Sequence, residues 1–145
     1  ALQLFDVIHS LDSVDLAQRL DRLCEEESRN LLPVLVQVRL GTEETKSGVH
    51  EKDLFKLVEK VELCRRLKLI GLMSVPPYFE DPENVRPFFR RLRELRDQIK
   101  ARGSFGDAVG ELSMGMTHDF EVAIEEGATL VRIGTAIFGE RQTSP

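Results

Sequence analysis

Much is missing from this sequence. It has two cysteines, Cys24 and Cys64, and no CxxC pair, which argues against a disulfide scaffold or a structural zinc site and for a reducing, cytoplasmic setting. No apolar run approaches the ~20 residues of a membrane span. Basic tracts are absent, and 20 Lys and Arg against 25 Asp and Glu give a net charge of -5 and a pI near 5.3, so a nucleic-acid role has little support. Tryptophan is missing and there is one tyrosine. His9, His50 and His118 show no metal-ligand spacing. Low-complexity segments and internal repeats are absent. What remains is 145 residues, 41% hydrophobic and 31% charged, the balance of one soluble globular domain. The chain opens on Ala1-Leu2-Gln3-Leu4-Phe5, with no initiator methionine, and reads as an interior piece of a longer protein.

Five β-rich runs are predicted, at Phe5–Ser10, Pro33–Leu40, Leu67–Val75, Gly110–Met116 and Thr129–Ile133. Val34-Leu35-Val36-Gln37-Val38 and Leu69-Ile70-Gly71-Leu72-Met73 are nearly continuous apolar runs, as in parallel strands covered on both faces. Helical spacing fills the gaps. Leu16, Leu20 and Leu23 define a first helix, preceded by an Asp12/Asp15 cap pattern, and Leu54, Val58 and Val61 define a second. Asp81 caps a third, with Pro82 at its first position. Val85, Phe88, Phe89, Leu92, Leu95 and Ile99 form its apolar stripe. A short fourth turns Phe120, Ala123 and Ile124 inward and stops at Gly127. The order β-α-β-α-β-α-β-α-β implies a parallel sheet. A doubly wound sheet fits, and so does part of a (β/α)8 barrel, whose full length of ~250 residues this chain does not reach.

The chemistry concentrates in Glu111–Gly139. Met114-Gly115-Met116-Thr117 ends one strand, with Thr117 placed to cap the next helix, and Ile133-Gly134-Thr135 ends the following one. Two neighbouring βα turns with free backbone N–H groups make an anion cradle; ordinary tight turns are the plainer alternative. Arg132 lies within the last strand, where a charge needs either a partner or a polar pocket. The loop Gly41–Gly48 brings Lys46 to the C-terminal end of the second strand, as an anion ligand or a solvated charge. His9-Ser10 is no triad, because adjacent strand residues point to opposite sides. Glu25-Glu26-Glu27 reads as a solvated helix end, and Arg90, Arg91, Arg93 and Arg96 read as surface charge on the third helix.

Ile8-His9-Ser10-Leu11-Asp12, Lys46-Ser47-Gly48, Gly71-Leu72-Met73, Leu112–Asp119 and Val131–Gly139 together resemble the pyridoxal phosphate (PLP) homeostasis proteins. These are single-domain PLP-binding barrels related to the N-terminal domain of alanine racemase. The resemblance runs in order through essentially the whole chain. It implies an incomplete (β/α)8 TIM-type barrel of about five βα units, with residues 1–145 as its C-terminal part. It implies a vitamin B6 carrier or regulator without established catalysis. The implied phosphate-binding residues are Met116, Thr117, Gly134 and Thr135, with Arg132 facing the pyridine nitrogen. The family often has Ser where Thr117 stands. Its Schiff-base lysine lies on the first barrel strand and has no counterpart here: Lys68 begins a strand at the opposite mouth, and Lys46 belongs to a different motif. No catalytic residue is therefore assigned. The expected partners are PLP and a missing N-terminal barrel segment, or a swapped copy of this chain. The alternative is a fragment of a PLP-dependent racemase or decarboxylase barrel.

Overall fold

The computed structural model describes residues 3–41 and 47–142; Lys46 lies outside the described residues. The order is β1 (Ile8–Leu11), α1 (Val14–Glu26), β2 (Leu32–Arg39), β3 (Val49–His50), α2 (Leu54–Glu62), β4 (Leu67–Met73), α3 (Arg86–Ala101), β5 (Glu111–Met116), α4 (Phe120–Glu125), β6 (Leu130–Arg132) and α5 (Thr135–Phe138). All strand pairs are parallel, in the order β1-β2-β4-β5-β6, with β3 a spur on the end of β2.

Two observations decide between the doubly wound sheet and the barrel. The strand order never reverses, whereas a doubly wound sheet has a switch point. The four longer helices also pack on one face: Ala17 and Leu20 of α1, Leu57 and Val61 of α2, Phe89 and Leu92 of α3 and Ala123 of α4 share a core with Val34, Val36, Val38, Leu112 and Met114. The opposite face is concave. His9 Nδ1 lies 3.0 Å from Ser113 Oγ, although β1 and β5 are three strand spacings apart. In a flat sheet that separation is roughly 14 Å, too far for these two side chains to meet. The sheet is an incomplete, curled barrel wall, and the described residues provide no neighbour for the outer edges of β1 and β6.

Several local expectations need correction. β1 starts at Ile8 rather than Phe5, because Arg29 in the turn after α1 donates to the carbonyls of Phe5 and Asp6 at 2.8 and 3.1 Å and draws that segment away from the sheet. Ser13, not Asp12, caps α1: its side chain accepts from the Leu16 N–H, while Asp12 accepts from the Gly48 N–H at 3.1 Å. Asp81 does cap, accepting from the Glu83 N–H at 2.9 Å, but the first turn, Pro82–Val85, is a 3-10 helix. In α4, Val122 and Ala123 are buried and Ile124 is exposed. The cause is Gly115, at φ +98°, where an added Cβ would meet the Ala123 Cβ at 2.6 Å. The helix settles on β5 at this glycine, and Ile124 turns outward.

The α3 arginines are not mere surface charge. Glu126, only 5% exposed, receives Arg86, Arg90 and Arg93 at 3.2, 3.1 and 3.1 Å. Arg96 is buried and donates to the Gly110 carbonyl and to Asp97, and Arg91 pairs with Glu51 and Glu94. Burial alone would raise the Glu126 carboxyl. The hydrogen bonds from Arg90 and Arg86 and the charges of Arg90 and Arg93 outweigh it and hold the carboxyl below the usual carboxylate range. A depressed carboxylate stabilises above its unfolded value of about 4.3 and stops doing so as pH falls through the folded one. Glu126→Ala is expected to cost about 2 kcal/mol in urea denaturation, because it strips three cations of a charged acceptor. The loss should vanish when wild type and variant are compared in acid.

Candidate functional site

The C-terminal ends of β5 and β6 set the site. Met116 pairs in register with Arg132, so Thr117 and Gly134-Thr135 come side by side just beyond. Thr117 Oγ1 accepts from the backbone N–H groups of Gly134 and Ala136 at 3.2 and 3.4 Å. Thr117 thus caps α5, one unit further along, and not α4 as its position in the sequence implied; α4 has no side-chain cap. Asp119 instead accepts from the Met116 N–H at 2.8 Å.

Met116, Thr117, Arg132, Gly134 and Thr135 all line one cleft of about 580 Å³. Its walls add residues the sequence reading did not single out: Pro76, Pro77 and Tyr78 after β4, and Phe138 and Arg141 from the last segment. His118 also lines it, its ring 5.1 Å from that of Tyr78 and its Nε2–H donating to the Glu80 carbonyl. Among the described residues no lysine lines this cleft. Lys68 is exposed near the start of β4, at the other mouth.

Among the described residues Arg132 sits in a polar pocket and not in an ion pair. Its Nη1 donates to the Ser113 carbonyl and to Ser113 Oγ at 3.2 and 2.7 Å, and its Nη2 donates to the Ser74 carbonyl at 2.8 Å. These are neutral acceptors. Burial pushes the guanidinium below its ordinary value, with the charge of Asp119 pulling the other way, but an arginine stays cationic at any working pH. His9 is lowered by burial and by the charge of Arg132. Ser113, Ser74 and His9 were not predicted as site residues. Alternation along β5 and β1 would have placed Ser113 and His9 on one face, but only the curl of the sheet joins them. His50, also a lone histidine in sequence, lies against Arg39.

The residues present suit a phosphorylated pyridine. Thr117 Oγ1 accepts two N–H groups, which leaves its own proton to donate. The Thr135 N–H, at the first position of α5, has no partner within the helix. An added Cβ on Gly134 would meet nothing within 4 Å, so the space beside that turn is open. Arg132 has five N–H donors and directs part of that set to Ser113 and Ser74 behind the cleft. Among the described residues no cluster of His, Cys, Asp and Glu could hold a metal ion, and no helix is long and apolar enough to cross a membrane.

Comparison with known proteins shows the family and the fold. Residues 1–142 match the family model described as "Alanine racemase, N-terminal domain". The chain is 50% identical over 136 residues to the pyridoxal phosphate homeostasis protein of Aquifex aeolicus, covering 94% of this chain and 58% of the relative. It is 42% identical to that of Vibrio alginolyticus, covering 97% and 58%. Among solved structures, PipY of Synechococcus elongatus with PLP bound superposes with a TM-score of 0.85 at 32% identity, over 96% of this chain and 63% of that one. An unknown protein from Bifidobacterium adolescentis gives 0.84 at 38% identity, over 95% and 55%. The chain therefore spans less than two thirds of the length of these relatives. It belongs to the alanine racemase N-terminal domain family, and within it is related to the pyridoxal phosphate homeostasis proteins.

Proposed function

We propose that this chain is the C-terminal part of a PLP-binding barrel, in a protein that carries or regulates PLP in vitamin B6 homeostasis and does not turn it over. The observation that carries the reading is the convergence of Met116, Thr117, Arg132, Gly134 and Thr135 on one cleft. Thr117 and Thr135 would hold the phosphate beside the open turn at Gly134, Met116 would border it, and Arg132 would face the ring nitrogen. When bound, PLP supplies an aldehyde for an amine and a ring that can draw electrons from it. An arginine at the nitrogen disfavours ring protonation, since two positive charges would meet at short range. The ring is then a weak electron sink, as suits a carrier. The chain would be completed by an N-terminal barrel segment, or by a swapped copy of itself. The free thiols Cys24 and Cys64 suit a reducing compartment such as the cytoplasm.

The test is α-proton exchange. The complete protein is expected to bind PLP and to show little deuterium incorporation into free amino acids in D2O, followed by NMR. Rapid incorporation would favour the racemase or decarboxylase alternative instead.

A further inference from the structure

The concave face carries a polar chain linking three strands. A guanidinium can only donate, so in the 2.7 Å contact between Arg132 Nη1 and Ser113 Oγ the serine oxygen accepts. The serine oxygen could accept a second time, but its one proton also needs an acceptor, and among the described residues the remaining side-chain partner is His9 Nδ1 at 3.0 Å. That direction requires Nδ1 to be bare and the ring to be neutral, with its proton on Nε2. The order Arg132–Ser113–His9 therefore runs from β6 through β5 to β1. With the Ser74 carbonyl of the β4 end at 2.8 Å, it fixes the guanidinium from behind.

We propose that Ser113 and His9 are positioning residues that hold Arg132 facing the cleft, and that the hold loosens when His9 takes a second proton. This rests on the reading of the cleft as a PLP site. Protonation makes Nδ1 a donor. Ser113 Oγ would then face two donors, and its own proton would lose its acceptor. A second cation would also stand one serine away from Arg132. Among the described residues the other charged groups on this face, by strand alternation, are Arg39 of β2, Lys68 of β4 and Glu111 of β5, and Asp119 just beyond β5 acts on Arg132 by its charge. Arg39 is engaged with His50, while Lys68 and Glu111 sit at the strand starts. Burial and then the charge of Arg132 both hold His9 below the ordinary imidazole value. Stability from the chain is full above about 6.5 and is lost as pH falls from there through the folded value.

Two measurements on the completed barrel test this. In the unmodified protein, 15N-detected NMR of His9 should show Nε2–H with bare Nδ1 at pH 7.5, and a midpoint below 6.5. PLP affinity, titrated from pH 7.5 to 5.5, should fall more steeply in the unmodified protein than in His9→Gln, whose amide oxygen can accept from Ser113 but does not titrate. The phosphate of PLP also titrates in this range (second pKa about 6), but equally in both proteins. Ser113→Ala should weaken PLP about tenfold at pH 7.5, and Ser113→Thr should restore it. An Nδ1–H tautomer, a midpoint at or above 6.5, or equal slopes for wild type and His9→Gln would overturn the proposal. If the unmodified protein binds no PLP at all, the PLP reading falls, and the imidazole NMR alone then decides the polar chain.

Discussion

The 145-residue chain produced alone is expected neither to hold PLP nor to behave as a monodisperse monomer, and adding a separately made N-terminal barrel segment should restore both. The reasoning starts at the edges. β1 and β6 close the strand order, and among the described residues neither has an outer neighbour. Each edge presents unpaired N–H and C=O groups, the usual template for association. The apolar surface points to the same places. A barrel missing part of its wall should expose its interior, yet Leu35 and Met73 on the concave face are already buried. Exposed apolar residues do lie on β6 and around the cleft mouth, at Leu130, Val131, Met116, Val75, Ile137 and Phe138, while others such as Leu4, Leu31, Leu63 and Val109 are spread over the rest of the surface. Apolar side chains left exposed beside an unpaired strand edge are suited to being covered by another segment. The matched 136 residues are 58% of the Aquifex aeolicus relative, which leaves about 100 residues, close to three βα units of a barrel of ~250. Three units are what a five-stranded wall needs to close into eight. Size-exclusion chromatography with light scattering, calorimetry and PLP absorbance, before and after mixing, check the prediction. A cooperative, monomeric, PLP-binding chain with no partner would show that the wall is complete without further strands.

Some local features are legible in the sequence, though not all: the Ser13 cap of α1 and the bond from the Met116 N–H to Asp119 are local too and carry no signal that sets them apart. The apolar run of β2 is covered on both faces, Asp81-Pro82 starts its helix, and Gly127 at φ +101° ends α4. Where the partner is distant, the sequence reading did not find it. Asp12 and Ser13 are adjacent and both suit a cap; what separates them is that Gly48, 36 residues from Asp12, claims the aspartate. The α3 arginines fall on the polar side of the helix by spacing, and spacing says nothing about Glu126 arriving buried from the end of α4. Thr117 was correctly valued as a cap and given to the wrong helix, because its actual acceptor role depends on β5 and β6 being neighbours. His9 looked like an isolated histidine because Ser113 stands 104 residues away. The two-residue strand β3 had no signal of its own; it exists because the chain after Gly48 runs beside the end of β2.

Gly134 should separate folding from binding more sharply than any other position in the cleft. Its φ of -120° lies outside the left-handed region that favours glycine, and an added Cβ meets no heavy atom within 4 Å. Gly134→Ala should therefore leave the melting temperature nearly unchanged while its methyl group takes space beside the turn, lowering PLP affinity severalfold. Gly134→Asp adds a charge in the same open space. Two unit charges about 4 Å apart repel by roughly 1 kcal/mol in water and roughly 4 kcal/mol near a protein surface, and a phosphate carries nearly two. A loss of more than 100-fold follows, which in practice abolishes binding. Thr117 supplies the contrast. Thr117→Ser keeps the oxygen that accepts from Gly134 and Ala136 and should be close to silent. Thr117→Val leaves both N–H groups without their acceptor, costing about 1 kcal/mol of stability as a lost cap and weakening binding as well. Equilibrium dialysis of PLP against the completed barrel, alongside calorimetry of each variant, gives both readings. Unchanged PLP affinity in Gly134→Asp would remove this turn from the site, and with it the phosphate assignment of Thr117 and Thr135.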